Sequence, residues 1–277
     1  MKDYADTINK GGLLLLGCGK MGSAMLRGWL EAGVRADAVT VIDPHPSEFA
    51  RSLADSGLTL NPDAPRQPRV CVIAVKPQMM SAAAPQLAAF SGGGTLFVSV
   101  AAGTMMATLE ALLGPGTPLV RCMPNTPAAV GRGITALTGN ETASAADLDL
   151  TDALLQAVGQ TVRLDDEGQM DAVTAVSGSG PAYVFYLIET LAAAGEAEGL
   201  PADVAMRLAT ATVAGAGHLA ETAVEEPSEL RAHVTSPGGT TAAGLEALID
   251  AETGLAPLMR ETVARAAARG RELAKGD

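Results

Sequence analysis

The stretch LLLLGCGKMG, residues Leu13–Gly22, is an apolar run that ends in a glycine-rich turn. Such a run is typical of a strand buried on both faces, and the apolar residues of Met21–Ala32 then recur at helical spacing. The glycines match GxGxxG in the strand–turn–helix setting that a dinucleotide-binding motif requires. Gly17 would permit the tight turn, Gly19 the approach of a pyrophosphate, and Gly22 close packing of helix on sheet. A glycine turn without a ligand is the alternative.

Further apolar runs predict that this strand belongs to a larger sheet. Most of them end at Gly, Pro or small residues, and helical patterns fill most of the gaps between them. Strands that alternate with helices imply right-handed parallel crossovers, and therefore a doubly wound α/β fold of the Rossmann type. The predicted strands are Leu13–Leu16, Val39–Ile42, Val70–Val75, Leu96–Val100 and Leu119–Met123, with Ile134–Leu137 and Thr161–Leu164 as candidate edge strands.

The pattern changes after Leu164, where Ala-rich helical segments broken by Gly or Pro replace the strands. We therefore predict two domains: residues 1–164, which bind a dinucleotide, and residues 165–277, which are all-α. The predicted helices of the second domain are Gln169–Val176, Ala182–Glu198, Ala202–Thr222, Thr241–Ala251 and Ala256–Ala274.

Asp43 ends the second predicted strand, about twenty residues beyond the glycine turn, where the dinucleotide fingerprint has a ribose-binding acid. A carboxylate accepts hydrogen bonds from the ribose hydroxyls and repels a 2′-phosphate, so Asp43 favours NADH over NADPH. His45 and Arg51 are close enough in sequence to compensate for that repulsion. The alternative is that Asp43 is a turn residue, because Asp is common in turns and a proline follows it.

The segment Ala74–Pro77 ends the third predicted strand, and ligands of doubly wound sheets bind at the carboxyl ends of the strands. Lys76 would there contact a phosphate or a hydroxyl of the ligand. A solvated lysine at a strand end is an equally good interpretation.

Composition narrows the class of protein. Hydrophobic residues make up 48% and charged residues 18%, which is typical of a folded globular chain. The net charge of −12 argues against nucleic acid as a partner, because an acidic surface repels phosphate backbones. Cys18, Cys71 and Cys122 show no CxxC pairing, so we expect no metal site, no disulfide framework and a reducing cytoplasm. We expect no membrane association, since neither a signal-peptide pattern nor an apolar run of membrane-spanning length is found.

Three further motifs stand out: CMPNTP at Cys122–Pro127, SGSGPAY at Ser177–Tyr183 and TSPGGTT at Thr235–Thr241. The last two combine small residues, backbone amides and a following helix N-terminus, which suits a carboxylate or a phosphate. Ordinary helix capping by Ser and Thr is the alternative, and on physical grounds alone it is the better supported one.

Together with Ala74–Pro77, these motifs resemble pyrroline-5-carboxylate reductases in order and spacing, and the resemblance extends from Gly17 to about Arg271. GxGxxG is shared by many families, whereas the other four segments in combination are far more specific. The resemblance implies an NAD(P)H-dependent enzyme of proline biosynthesis. Such an enzyme transfers a hydride to the cyclic imine 1-pyrroline-5-carboxylate and so forms L-proline.

The resemblance also implies roles for single residues. Thr241 matches the family threonine beside the ring nitrogen of the imine, and would hydrogen-bond that nitrogen or relay a proton through water. Glu167 matches an acidic residue of the substrate pocket. Asn61 would lie near the ribose-phosphate side of the cofactor, and Asn125 near its nicotinamide end. The substrate-binding residues would be Glu167, Ser236, Gly238, Gly239, Thr240 and Thr241. The cofactor-binding residues would be Gly17, Cys18, Gly19, Lys20, Met21, Gly22, Asp43, Asn61, Ala74, Val75, Lys76, Pro77, Ala101, Ala102, Gly103 and Asn125.

The helical half of the family forms an interlocked homodimer, so the resemblance implies that the substrate loop comes from the partner chain. Such dimers often assemble further, commonly to a decamer. Many NADPH-preferring relatives carry Ser, Arg or Asn-Arg after the second strand, where this chain has Asp43-Pro44-His45. Both NADPH and NADH therefore stay candidate cofactors, with a preference for NADH.

Two other functions fit parts of the sequence. A dehydrogenase of the 3-hydroxyacid or 6-phosphogluconate kind has the same two-part layout, but it needs a catalytic lysine early in the helical half. Residues Asp165–Tyr183 contain no lysine, which argues strongly against this alternative. A non-catalytic dinucleotide-binding protein is the second alternative, and the retained loop Ser236–Thr241 argues against it.

Overall fold

The computed structural model describes residues 2–92 and 94–275. The chain forms two compact units. The first contains the chain up to Gly178 together with the residues from Ala267 onward, and the second is Ser179–Ala266. The domain boundary between residues 164 and 165 stays a prediction.

The described part of the first unit contains one eight-stranded sheet. Its strands are β1 (Leu13–Leu16), β2 (Val39–Ile42), β3 (Thr59–Leu60), β4 (Val70–Ile73), β5 (Leu96–Ser99), β6 (Leu119–Met123), β7 (Gly133–Gly139) and β8 (Gly159–Arg163). Their order in space is β3-β2-β1-β4-β5-β6-β7-β8. All neighbouring pairs are parallel except β6 and β7, which are antiparallel. The predicted doubly wound α/β architecture is confirmed, with one reversed connection near the edge of the sheet.

The predicted strands agree closely with the observed ones. β1, β2 and β6 have the predicted bounds, and both candidate edge strands form as β7 and β8. β4 and β5 end at Ile73 and Ser99, slightly earlier than predicted, because the chain leaves the sheet there to form loops. The two-residue strand β3 was not predicted.

Within the described residues, seven α-helices precede the second unit: α1 (Lys2–Gly11), α2 (Lys20–Glu31), α3 (Glu48–Ser52), α4 (Met80–Ala88), α5 (Met106–Leu113), α6 (Ala145–Leu155) and α7 (Met170–Val173). Side chains of α1, α2, α3 and α6 bury one face of the sheet, and side chains of α4 and α5 bury the other. The predicted helix Gln169–Val176 is correct only in part, since a 3-10 turn precedes α7 and a π-helical segment, Thr174–Gly178, follows it.

The leucine run of β1 is buried because helices cover the sheet on both faces. Leu13 and Leu15 belong to one core cluster, and Leu14 and Leu16 to the other. A strand in such a position has no solvent side, so the alternation of polar and apolar residues disappears from its sequence. β1 pairs in register with β2 on one side and β4 on the other, which places the glycine turn near the middle of the sheet.

The N-terminal helix α1 was not predicted. Its sequence is mostly polar, yet Tyr4, Ala5 and Ile8 form an apolar stripe and are all buried in the first core cluster. The spacing of these three residues fits one face of a helix. The polar remainder of α1 obscured this short signal.

The second unit is helical, and its helices are α8 (Gly180–Ala197), α9 (Ala202–Thr222), α10 (Pro227–His233), α11 (Thr240–Leu248) and α12 (Leu255–Lys275), the last of which continues beyond Ala266. Four of them were predicted from the sequence, whereas the short α10 was not. Among the described residues, no helix has the length and apolar character that a membrane span requires.

The second unit has a very small core of its own. Its buried hydrophobic cluster consists of Ala192, Ala205 and Ala209, with Ile188 packed against it. Larger apolar side chains are exposed, including Phe185 at 58% and Tyr186 at 67%. A helical unit with three buried alanines and exposed aromatics is typical of a protein that covers this surface by association.

Candidate functional site

The glycine turn between β1 and α2 has three glycines in three different situations. Gly17 has φ +89°, and a Cβ there would lie 2.8 Å from the carbonyl oxygen of Ala74. A Cβ on Gly22 would overlap the carbonyl oxygen of Gly17. A Cβ on Gly19 would meet nothing within 4 Å. Gly17 and Gly22 are therefore required by the fold, whereas Gly19 borders vacant space at the start of α2.

The start of α2 offers backbone amides to that space. Gly19 is the N-cap residue, and no side chain caps the helix. The free amides and the positive end of the helix dipole favour an anion at this position. Ser23 donates a 2.9 Å hydrogen bond to the carbonyl oxygen of Cys18, which braces the turn. Burial raises the pKa of the Cys18 thiol, so the side chain stays neutral beside the anion position.

Asp43, which directly follows β2, is tied to the same turn. Its Oδ2 accepts a 2.6 Å hydrogen bond from the amide of Cys18, and its Oδ1 accepts one of 2.7 Å from the amide of His45. Both carboxylate oxygens are thus held by backbone donors. The carboxylate cannot turn away from the glycine turn without losing two hydrogen bonds.

Asn61 supports Asp43 from the end of β3. Its side-chain oxygen accepts a 2.9 Å hydrogen bond from the amide of Asp43, and its Nδ2 donates one of 2.9 Å to the carbonyl oxygen of Asp43. Asn61 has φ +48°, a left-handed conformation that asparagine tolerates better than most residues. The structure therefore brings together two residues assigned independently to the ribose region. A cavity of about 560 Å³ is lined in part by Ile42, Asn61 and Phe90.

Two further predicted cofactor segments follow β4 and β5 along the same edge of the sheet. Ala74, Val75, Lys76 and Pro77 leave β4, and the amide of Ala74 still donates to Leu16 of β1 at 2.8 Å. Lys76 is exposed at this edge. After β5, Ala101 is buried, Ala102 is exposed and Gly103 takes φ +74°. Ala74 and Val75 lie against Gly17 of the glycine turn, and Ala101–Gly103 follows one strand farther along, because β1, β4 and β5 are parallel and adjacent in that order.

Asn125 follows β6 and uses its side chain to brace the backbone. Its Oδ1 accepts a 2.9 Å hydrogen bond from the amide of Ile134 at the start of β7. This bond spans the short connection between the two antiparallel strands. A contact with the nicotinamide, which the resemblance implies, stays a prediction.

Glu167 is engaged with a buried arginine. Its Oε1 forms a hydrogen-bonded ion pair with Arg121 of β6. The same oxygen accepts a 2.7 Å hydrogen bond from the amide of Met106. The Arg121 side chain is only 6% exposed. Arg121 was not among the predicted site residues. Its charge within the otherwise apolar strand LVRCM was a usable signal, because buried charges are almost always paired. The role of Glu167 in substrate binding stays a prediction.

The predicted substrate loop lies in the second unit. Gly238 has φ +69°, and the amide of Gly239 donates a 3.0 Å hydrogen bond to the carbonyl oxygen of Ser236. α11 begins directly afterwards at Thr240, with Gly239 as its N-cap. The side chains of Ser236, Thr240 and Thr241 are exposed. The loop therefore presents hydroxyls and amides together at a helix start, as the sequence predicts.

The described residues 2–92 and 94–275 contain no cluster of three or more His, Cys, Asp or Glu side chains suited to a metal ion. The sheet edge of the first unit instead offers amides, one fixed carboxylate and the exposed Lys76, and the loop of the second unit offers amides and hydroxyls. Such groups suit an organic anion or a nucleotide.

Known proteins agree with this arrangement. A pyrroline-5-carboxylate reductase from Pseudomonas aeruginosa is 40% identical over 266 residues, covering 95% of this chain and 97% of the relative. The chain belongs to the pyrroline-5-carboxylate reductase family. A pea (Pisum sativum) reductase is 37% identical and covers 93% of this chain and 94% of its own. The family membership confirms the predicted enzyme class, an NAD(P)H-dependent oxidoreductase that acts on a cyclic imine.

Family models match both halves. Residues 167–273 match the pyrroline-5-carboxylate reductase dimerisation domain, and residues 13–103 match the NADP oxidoreductase, coenzyme F420-dependent domain. Oligomer assembly and a small-molecule substrate are therefore features of this family member. The alternatives of a 3-hydroxyacid-type dehydrogenase and a non-catalytic protein lose their support.

Solved structures give the same result. The Coxiella burnetii reductase has a TM-score of 0.88 at 31% identity and covers 95% of this chain and 98% of its own. The Plasmodium falciparum reductase, solved with NADP bound, has a TM-score of 0.79 at 25% identity and covers 96% of this chain and 99% of its own.

Proposed function

We propose that this family member reduces 1-pyrroline-5-carboxylate to L-proline with NADPH or NADH bound along the carboxyl edge of the sheet. The observation that carries the proposal is the glycine turn between β1 and α2, where a helix start without a side-chain cap lies beside the carboxylate of Asp43. Gly17 and Gly22 are in close contact with backbone, and Gly19 is exposed at the start of the helix. Such a helix start suits the pyrophosphate of a dinucleotide.

The residues of this edge fit the parts of a dinucleotide. The amides at the start of α2 suit the pyrophosphate, and the fixed carboxylate of Asp43 suits the ribose hydroxyls. Ala101–Gly103 and Asn125 follow the strands farther along the sheet, toward the proposed nicotinamide end. When bound, the reduced nicotinamide supplies a hydride to the imine carbon of the substrate.

For the substrate, we propose that the loop Ser236–Thr241 binds the carboxylate through its amides and hydroxyls. Thr241 then hydrogen-bonds the ring nitrogen, and the loop acts on the cofactor of the partner chain. A protonated iminium already accepts a hydride readily, so the chain needs no strong acid at this position. The main contribution of the protein is to hold the imine carbon against the nicotinamide in the reactive orientation.

We propose that NADH is the preferred cofactor. The carboxylate of Asp43 is held by the amides of Cys18 and His45, so it would face a 2′-phosphate as a fixed negative charge. Two like charges at hydrogen-bonding distance repel strongly in a partly dehydrated site. The same carboxylate accepts hydrogen bonds from the unmodified ribose of NADH.

The assembly we propose is a homodimer through the helical unit, with further association to a decamer, in a reducing cytoplasm. The exposed Phe185, Tyr186 and Leu187 on α8 support the dimer. The buried, unpaired Cys18 and Cys71 fit a reducing compartment. Sedimentation of Phe185→Ser should show dissociation at micromolar concentration, whereas Asp55→Ser, at an exposed acid of the first unit, should not. If neither variant dissociates, the result contradicts an interface on α8.

The function is tested by mixing the purified chain with 1-pyrroline-5-carboxylate and NADH or NADPH. We expect loss of the reduced nicotinamide absorbance that depends on the imine, with one L-proline formed for each cofactor oxidised. Omission of the imine is the control. Cofactor binding without imine-dependent oxidation would contradict the proposal and leave a dinucleotide-binding protein.

A further inference from the structure

Arg121 is a buried cation in an otherwise apolar strand. It lies in β6, and its side chain is 6% exposed. Its neighbours Val120 and Cys122 belong to the core cluster that α1, α2, α3 and α6 cover. A guanidinium loses its hydration in such a place, so it needs a carboxylate and further acceptors around it. Glu167 supplies the carboxylate, and the sulfur of Met105 lies 3.5 Å from Arg121 Nη1.

Glu167 joins this cation to the start of α5. The same oxygen, Oε1, accepts hydrogen bonds from Arg121 Nη1 and from the amide of Met106, the first residue of α5. A carboxylate at a helix N-terminus satisfies a free amide and interacts favourably with the helix dipole. α5 is thus anchored by a residue 61 positions later in the chain rather than by a local cap.

The turn between β5 and α5 is fixed at both ends by these contacts. At its beginning, the amide of Val100 donates a 2.9 Å hydrogen bond to the carbonyl oxygen of Ile73 in β4. At its end, Met105 and Met106 contact Arg121 and Glu167. Between them lies Ala101–Gly103, the segment assigned to the cofactor, with a left-handed Gly103. The path of this segment therefore depends on where the ion pair holds Met106.

We propose that Glu167 and Arg121 are positioning residues that fix where the Ala101–Gly103 turn lies relative to the bound dinucleotide. They act through Met105 and Met106. The inference depends on the proposed function only for the identity of the ligand, NAD(P)H. Glu167 lies at the start of the segment that matches the dimerisation model, so the cofactor turn is held from the first residue of that segment.

The decisive variant is Glu167→Gln, which keeps the length of the side chain and an acceptor for the Met106 amide but removes the charge opposite Arg121. We expect the Kd of NADH, measured by calorimetry without substrate, to rise about tenfold. The KM for the imine should stay within about twofold, and kcat should fall less than the cofactor affinity. Asp166→Asn is the matched control, because Asp166 accepts a hydrogen bond from the amide of Gly168 in the same 3-10 turn, whereas the partner of Arg121 is Glu167.

A second pair of variants separates positioning from bulk stability. Glu167→Asp keeps the charge but shortens the side chain, so it should raise the cofactor Kd by an intermediate factor. The double variant Glu167→Gln with Arg121→Met should weaken cofactor binding by less than the sum of the effects of the two single variants. The reason is that the cation and its partner act as one unit. These variants also test the proposal if Glu167→Gln does not fold.

Two results would overturn the inference. One is an unchanged Kd for NADH in Glu167→Gln and Glu167→Asp together with a lower melting temperature, which would leave the ion pair a purely structural device. The other is a rise confined to the KM of the imine, which would make Glu167 a substrate contact. Because cofactor binding is measured directly, the first result stands even if the chain does not reduce the imine.

Discussion

The carboxylate of Asp43 accepts a 2.6 Å hydrogen bond from the backbone amide of Cys18, inside the glycine turn between β1 and α2. The residue assigned to the ribose and the turn assigned to the pyrophosphate therefore share one anchor. Asn61 adds two hydrogen bonds to the backbone of Asp43 from the neighbouring strand. Removal of the Asp43 carboxylate should consequently loosen the glycine turn and change cofactor choice together, while the two bonds of Asn61 to the Asp43 backbone remain.

Asp43→Ser should shift cofactor preference toward NADPH. Serine removes the fixed negative charge and offers a hydroxyl donor to a 2′-phosphate. We expect the ratio of kcat/KM for NADPH to that for NADH to rise about tenfold to a hundredfold, or roughly 1.4 to 2.7 kcal/mol. Asp55→Ser, at an exposed acid in a following 3-10 turn, is the control. If the ratio does not move, Asp43 is only a turn residue.

The glycines of the turn should respond differently to alanine. In Gly22→Ala the added methyl overlaps the carbonyl oxygen of Gly17, so the free energy of unfolding should fall by about 1–3 kcal/mol. In Gly19→Ala the backbone, at φ −72°, accepts alanine and the methyl meets no protein atom within 4 Å. Its melting temperature should stay near that of the parent, while the Kd of the cofactor rises about tenfold or more. Thermal denaturation and calorimetry of both variants check this contrast, and equal behaviour of the two would contradict it.

Thr241→Ala should reduce turnover with little effect on the cofactor. The proposed hydrogen bond from Thr241 acts on the ring nitrogen of the imine, so kcat should fall about a hundredfold, at the lower end of the range for positioned proton donors. The Kd of NADH should be unchanged. Thr222→Ala is the control, because its hydroxyl bonds within its own helix to His218. Turnover equal to the parent would remove Thr241 from the mechanism.

Asp147 should contribute stability that depends on pH. Burial alone would raise the pKa of its carboxyl, but hydrogen bonds from Arg69 and Ser144 outweigh burial and lower the pKa overall. A folded-state pKa below the unfolded one gives stability that is present above the ordinary value of 3.8 and is lost as pH falls through the lowered value.

Asp147→Asn should therefore cost about 1–3 kcal/mol of unfolding free energy near pH 7. The difference from the parent should shrink as the pH falls below about 4. Denaturant unfolding at several pH values measures this difference. Asp149→Asn, at a side chain that is 69% exposed, should cost less than about 1 kcal/mol. A difference for Asp147→Asn that does not change with pH would contradict the assigned ion pair.

The sheet could be predicted because its strands are short apolar runs that end at distinctive residues. β1 ends before Gly17 and β2 before Asp43-Pro44, and both were located without error. The reversed direction of β7 was not predicted, although the connection Pro124–Arg132 is too short for a parallel crossover, which needs a dozen or more residues. The length of the loop between two strands therefore indicates their relative direction, which hydrophobic periodicity does not.

The ion pair of Arg121 with Glu167 lay beyond prediction for a different reason. The two residues are 46 positions apart, and they meet only because the 3-10 turn at Glu167 lies against β6 and the start of α5. Local patterns report the partners of a residue within one helix or hairpin. The resemblance pointed to Glu167 but not to Arg121, which the strand pattern presented as an unexplained charge.

The stability of the second unit, whose buried hydrophobic cluster is three alanines, should depend on protein concentration. If exposed aromatics such as Phe185 and Tyr186 are covered only by another chain, dilution removes part of the free energy that keeps the helices folded. Heating curves should then shift upward as protein concentration increases, as they do for obligate dimers. In the cell, a newly made chain would complete this half of its fold on meeting a second copy, so the abundance of the enzyme would influence its own maturation.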